Sequence, residues 1–273
     1  MKRQMQIALT GDIDDGLEDL ASCLRPLCEM LNSCNVPMSI PVVASALEDS
    51  SRKIGFLAEH GIEIAGHGDV HNPFVGPVDL QRRRLRAMRD AFEKTLGTSP
   101  LGFRAPFLAH DQNLYAALSL EGFRYDSSRT SHDFWLRTRS LFSRRDTSFR
   151  ETFRTYPRTL IRQVSGRASA RPYPVAPRVI ELPVFELDDW FFFEYAKGPK
   201  LGSSELEIVS DTWMKTARRL DGRDRLLVIQ AHPKRISPAR LRVLEEFVTQ
   251  AKSEGHKFAT LGELARAYER LAV

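Results

Sequence analysis

Short β-type runs separated by longer amphipathic stretches recur along the whole chain of 273 residues, and that alternation leaves few folds open. Residues 4–9, 36–43, 62–65, 101–104, 179–182 and 226–231 read as strands, with 257–259 a weaker last one. Residues 17–31, 50–59, 79–96, 111–121, 203–220, 237–254 and 261–271 show helical spacing between them. In 79–96, Leu80, Leu85, Met88, Phe92 and Leu96 form an apolar stripe, and charged side chains fill the opposite face. Ser237-Pro238 is a cap followed by proline in the first turn, and Gly97 and Gly255 stand where helices should stop. Strand followed by helix throughout predicts an α/β fold with a parallel sheet inside and helices outside. A distorted (β/α) barrel of about seven strands is the expected form.

The length suits one large barrel with a real core, so residues 1–273 are expected to form a single domain. The formal net charge of +5 is unevenly spread. From Arg137 to Arg178 there are eleven Arg and no Lys against only Asp146 and Glu151, a local +9 that leaves −4 for the rest. With Pro157, Pro172, Pro174 and Pro177 also present, residues 132–178 read as an Arg-rich insertion. Guanidinium groups suit phosphate or an anionic membrane surface, although a solvated insertion paired to the body is the plainer reading. No nucleotide-binding fingerprint accompanies the charge, and nucleic acid is not expected as a partner. Cys23, Cys28 and Cys34 lack disulfide or zinc-knuckle spacing and read as reduced thiols. No apolar run approaches the roughly 20 residues of a membrane span, and no secretory leader precedes the first strand, so cytoplasmic residence is expected.

Polar residues gather where the strands end. Asp12, Asp14, Asp15, His67, His71 and His232 each stand at or just past the C-terminal end of a strand candidate, and Arg104 closes another. In a parallel barrel that face carries the strand-to-helix loops, each able to contribute a side chain to one centre. Gly66, Gly68 and Pro73 disfavour a helix around His67-Gly-Asp-Val-His71, so the two imidazoles must converge on a loop. Two imidazoles and one carboxylate, with a position left open, are how a catalytic zinc is held.

Read in order, Asp12-Ile-Asp-Asp-Gly16, His67-Gly-Asp-Val-His71, Arg104-Ala-Pro-Phe107, Asp188-Asp-Trp190 and Ile229-Gln-Ala-His232 resemble the five signature motifs of the polysaccharide deacetylases. This is carbohydrate esterase family four, the nodulation-type deacetylase homology domain. The resemblance implies a distorted barrel and metal-dependent removal of acetyl from an N-acetylated sugar. It assigns Asp12 as general base, Asp14, His67 and His71 as metal ligands, and His232 as general acid. Arg104 resembles the arginine that holds the base, Asp189 the aspartate that orients that arginine, and Trp190 a wall of the acetyl pocket. Phe107 follows the proline whose loop offers a backbone N–H to the oxyanion. A second register, with Asp14 as base and Asp15 as ligand, also fits the motif. The first is preferred because alternate residues on a strand point the same way, which leaves Asp15 beside the substrate.

Each role has its own chemical reason. A bound zinc can bring the pKa of water to about 7, a carboxylate takes the remaining proton, and an imidazole can protonate the departing amine. Zn2+ is the expected ion, with Co2+, Ni2+ or Mn2+ as substitutes. The expected substrate is an N-acetylhexosamine-containing sugar, oligosaccharide, or lipid- or nucleotide-linked sugar, with phosphate as a further handle for the Arg-rich segment. The alternatives are allantoinase-like hydrolysis of a cyclic ureide, and a non-catalytic protein that binds sugars or anionic surfaces. Ser or Cys nucleophile motifs are absent, so covalent acyl transfer has no support.

Overall fold

A computed structural model describes residues 5–14, 20–47, 51–131, 170–185, 203–220 and 226–271. The strands are β1 (Gln6–Thr10), β2 (Met38–Val42), β3 (Glu63–Gly66), β4 (Gly102–Phe103), β5 (Tyr125–Asp126), β6 (Thr130–Ser131), β7 (Tyr173–Ala176), β8 (Val179–Glu181), β9 (Val184–Phe185), β10 (Leu226–Gln230) and β11 (Lys257–Phe258). The helices are α1 (Leu20–Cys34), α2 (Ser51–Glu59), α3 (Val78–Leu96), α4 (Asn113–Leu120), α5 (Ser203–Leu220), α6 (Pro238–Ser253) and α7 (Leu261–Leu271). The seven strands and seven helices read from the pattern are all present, with ends shifted by a few residues. Ser237 accepts the Arg240 N–H as a cap, and Gly97 ends α3 at φ 68°.

The sheet runs β6-β9-β10-β1-β2-β3-β4-β5-β8-β7, parallel except for the β7–β8 pair, and β11 adds to β1. Its two halves are joined by very short chain. β8 pairs with β5, β9 pairs with β6 and β10, and only Leu182 and Pro183 separate β8 from β9. One bent stave therefore belongs to both ends of the path, and the sheet curls into a distorted barrel. Counting β8 and β9 as that single stave, the ring passes through β1, β2, β3, β4, β5, β8/β9 and β10, seven in number; β5 is among them, while β11, one of the seven runs read as strands, lies outside the ring beside β1. β5, β6 and β9 have two residues each, too few for a period-2 signal, and the sequence pattern did not reveal them. β7 lies in the last part of the segment read as an insertion, whereas residues 132–169 lie outside those described.

Alternation along the strands sorts the core. Ile7 and Leu9 pack in the large cluster beneath the helices, while Ala8 joins a smaller interior one with Ala65, Tyr125, Ile180, Leu182 and Val228. The interior residues of the central strands are small, which leaves room for larger groups. A Cβ built on Gly102 would lie 1.7 Å from the Tyr125 ring, so only glycine allows that ring to cross β4. α7 enters the same cluster through Leu261, Leu264 and Ala265. Its first N–H groups are received by Ser39 Oγ (2.8 Å) and Glu63 Oε2 (3.0 Å), favourable placement for a carboxylate. Ser39 and Glu63 lie at the N-terminal ends of β2 and β3, so α7 closes the end of the barrel opposite the loops that follow the strands.

Beneath α4 the layer is polar. Asp126 and Glu181 are register partners on β5 and β8, fully buried, facing His110, Tyr115, Arg129 and Tyr173. Burial raises both carboxyls, and for Glu181 the neighbouring Asp126 charge adds to the rise. Burial likewise lowers His110, whose Nε2 lies 2.9 Å from the Tyr115 hydroxyl. Among the described residues Asp126 Oδ2 and Glu181 Oε2 have no hydrogen-bond partner, and a proton shared between the two would satisfy both. A carboxyl raised on folding contributes stability that is full below its ordinary range and is lost as pH climbs through the raised value. Glu181→Gln keeps a hydrogen bond without the titration. Its stability is therefore expected to fall less steeply than wild type as pH rises above the ordinary carboxylate range, by up to about 1.4 kcal/mol per pH unit for the proton removed. Urea midpoints measured across pH test this, and parallel profiles for the two proteins would exclude the shared proton.

The basic face of α3 is engaged within the fold. Arg82 and Arg86 both donate through Nε to Glu121, and Arg89 donates to the Glu121 carbonyl. None of the three cysteines forms a disulfide, and burial with the Glu29 charge pushes the Cys28 thiol up to about 11. Among the described residues no helix is long and apolar enough to cross a membrane.

Candidate metal centre

The chain leaving β1 does not turn at once. Gly11 and Ile13 continue to donate to Ser39 and Pro41 carbonyls, and Ile13 bridges Val42. This extended run buries Ile13 on one side and puts Asp12 and Asp14 together on the other. β3 ends at Gly66, and the His67–His71 loop starts directly, with Gly68 at φ 99°. Ala44 and Ser45, beyond β2, donate to the carbonyls of Gly68 and Asp69.

His67 is buried, and its Nδ1 lies 2.8 Å from the Arg104 carbonyl oxygen. Since only an N–H can bond there, the lone pair is left on Nε2, the arrangement common behind metal-ligating histidines. That Nε2 stands 3.3 Å from Asp14 Oδ1, and His71 Nε2 stands 3.4 Å from the same oxygen. Direct charge-assisted hydrogen bonds are shorter, about 2.7–2.9 Å. Bonds of about 2.0–2.1 Å to one tetrahedral ion would instead space ligand atoms by about 3.3–3.4 Å. Asp14, His67 and His71 present ligand atoms within 4.8 Å of one another, as do Asp12, Asp14 and His232. Two imidazole nitrogens and a carboxylate oxygen form a donor set that suits zinc and its neighbours in the series. Burial alone would raise the Asp14 carboxyl. The adjacent imidazoles of His67, His232 and His71 overcome it and hold the group well below the usual carboxylate range.

Beside this group lies a buried pair. Arg104 is completely enclosed and donates from Nη1 to Asp12 Oδ1 at 2.7 Å. Its remaining donors go to Thr10 Oγ1 (3.0 Å), the Ser127 carbonyl (2.9 Å) and Ser127 Oγ (3.0 Å). The other Asp12 oxygen accepts from Gln230 Nε2, which also lies 3.4 Å from His232 Nε2. Thr10, Ser127 and Gln230 were not singled out in the sequence. Thr10 and Gln230 had a readable signal, since each lies two residues from a candidate site residue at a strand end, on the same face. Ser127 had none. Phe107 is 43% exposed, stacks its ring 4.2 Å from that of His71, and with Leu108 adopts left-handed backbone (φ 56° and 54°). Non-glycine residues rarely do so, and such conformations collect at functional sites. Asp15, Asp189 and Trp190 lie outside the described residues.

Comparison with known proteins bears on this arrangement. The sequence profile of the family Polysaccharide deacetylase matches residues 2–125, the part that carries Asp12, Asp14, His67, His71 and Arg104. A "Peptidoglycan deacetylase-like protein FGM2" from Gibberella zeae is 34% identical over 79 residues, which is 28% of this chain and only 23% of that protein. The fold is similar over the whole chain to a "putative polysaccharide deacetylase from Mycobacterium smegmatis", with TM-score 0.73, 19% identity and 93% of that chain covered. It is similar to Puue Allantoinase at TM-score 0.71 and 17% identity, covering 97% of this chain and 90% of the other. At such identities the two structures speak for the fold.

Proposed function

We propose that this chain, whose residues 2–125 match the family Polysaccharide deacetylase and whose fold is shared with such proteins, is a metal-dependent hydrolase that removes the acetyl group from an N-acetylhexosamine. The observation that carries the reading is the convergence of Asp14, His67 and His71 on one point, with the buried Asp12–Arg104 pair beside it. Asp14 Oδ1, His67 Nε2 and His71 Nε2 would hold the ion, Zn2+ by the choice of donors, with Co2+, Ni2+ or Mn2+ as substitutes. When bound, such an ion polarises the scissile carbonyl and makes water acidic enough to serve as nucleophile near neutrality.

The protein's own groups supply the proton steps. Asp12 is the general base, receiving a proton from the attacking water on its carboxylate. Arg104 keeps that carboxylate charged and aimed, and Gln230 fixes its second oxygen. His232, just past the end of β10 on the same face as Asp12, gives a proton to the departing amine nitrogen as the C–N bond breaks. Water and amide thus become acetate and free amine. Phe107 makes an apolar wall against His71 where an acetyl methyl can rest. Trp190 as a second wall, Asp189 behind Arg104 and Asp15 at the substrate remain parts of the proposal. So do a phosphate-bearing substrate and contact of the Arg-rich segment with an anionic surface.

Likeness to an allantoinase fold keeps a second reading, opening of a cyclic ureide, since that too cleaves a C–N amide bond. Metal-loaded protein is expected to release acetate from N-acetylglucosamine oligomers, to lose that activity on chelation and to recover it with Zn2+ or Co2+. Acetate release assayed beside allantoin ring opening separates the readings. Turnover of allantoin with no acetate from any N-acetyl sugar would replace deacetylation by the ureide reaction. Neither activity, in protein that binds metal, would favour the non-catalytic alternative.

A further inference from the structure

The His67–His71 loop is short of regular structure, yet His71 must present Nε2 to within a few tenths of an ångström to share an ion with Asp14. His67 is fixed directly through Nδ1 to the Arg104 carbonyl. For the far end of the loop the support comes from α3. Arg84 donates from Nε to Asp69 Oδ1 at 2.9 Å, with Nη2 2.8 Å from the same oxygen. Its Nη1 donates to the Pro73 carbonyl at 2.7 Å, and Nη2 reaches the Asn72 carbonyl at 3.1 Å. The guanidinium carbon lies 4.0 Å over the centre of the Phe74 ring, and the side chain is 16% exposed. One planar cation thus grips the loop on both sides of His71, at residues 69, 72, 73 and 74. The neighbouring arginines of α3 go elsewhere, Arg82 and Arg86 to Glu121.

We propose that Arg84 is a positioning residue for metal binding: its guanidinium ties Asp69, Asn72, Pro73 and Phe74 together and thereby sets where His71 presents its ligand nitrogen. The inference rests on the metal-centre reading above. A flexible loop would lose conformational freedom each time it bound an ion, whereas a loop already clamped has lost it on folding. Groups one step behind metal ligands commonly cost 10–100-fold in affinity when removed. Lysine is a poor substitute, because a compact ammonium does not span a carboxylate and two carbonyls while lying flat on a ring.

The test is Zn2+ affinity of the metal-free full chain, read by competition with a chromophoric chelator, together with the visible spectrum of the Co2+ form. Arg84→Met is expected to weaken Zn2+ binding about 10–100-fold and to alter the Co2+ spectrum, with Arg84→Lys recovering only part of the loss. Arg82→Met, two residues earlier on α3 and engaged with Glu121, is expected to bind as wild type does even if its melting temperature falls. Should Arg84→Met not fold, Asp69→Asn keeps the volume, weakens the same link, and is expected to bind Zn2+ less tightly than wild type. Arg84→Met, or Asp69→Asn in its place, binding Zn2+ within twofold of wild type would overturn the inference and leave the metal centre standing. Wild-type protein that binds no Zn2+ would overturn both.

Discussion

Asp14→Asn is expected to abolish tight divalent-ion binding, while Asp12→Asn keeps the ion and loses turnover by about 10²–10⁴-fold. The two residues are neighbours on one face of an extended run, so they differ in surroundings rather than in direction. Asp14 is the carboxylate within 3.3 and 3.4 Å of both imidazole Nε2 atoms. An amide in its place offers a neutral oxygen where two imidazoles need an anion to complete the site. The affinity loss should exceed the 10–100-fold typical of residues behind the ligands. Asp12 is turned toward Arg104 and Gln230, and its nearer oxygen stands 3.8 Å from His67 Nε2. Asparagine there preserves volume and most hydrogen bonds but cannot accept a proton from water. Metal content and acetate-release kinetics, measured on the same preparations, distinguish the two. The reverse pattern, with metal lost from Asp12→Asn and retained in Asp14→Asn, would shift the base to Asp14.

Arg104→Met is expected to lose both activity and about 3–5 kcal/mol of stability. The guanidinium is wholly buried and each of its three nitrogens donates, to Asp12, Thr10 or Ser127. Removing it leaves the Asp12 carboxylate, 4% exposed, with an amide for company and no cation. A buried ion pair need not be worth much by itself, but half of one is costly. The diagnostic is the double variant Arg104→Met with Asp12→Asn. It should regain much of the lost stability, since no unpaired charge remains, while staying inactive. Urea unfolding of the four proteins in the cycle measures this. Additive losses would mean that the pair is not coupled, and the role given to Arg104 would fall.

Much of the architecture was legible because it is written in local periods. Seven strands and seven helices follow from runs long enough to show a period of 2 or 3.6. The placing of Asp12, Asp14, His67, Arg104 and His232 after strand ends follows from counting along the chain. The two-residue strands β5, β6 and β9 were not legible, because their existence depends on partners across the sheet. Nor did local pattern distinguish the arginines of α3, which share one helix and one charge. Arg84 grips a loop and Arg82 grips Glu121 only because of what lies above each turn.

Residue order alone carries the alternation that makes a parallel barrel, the face on which its polar residues collect, and the pair of histidines able to share an ion. Which groups meet depends on packing between distant segments. Asp12 is joined to Arg104 across 92 residues and to Gln230 across 218, and Ser127, with no signature of its own, holds the arginine in place. The physical reason is the difference in range. Strand and helix periods are set by neighbours along the chain, whereas a buried charge must find its partner wherever packing brings one.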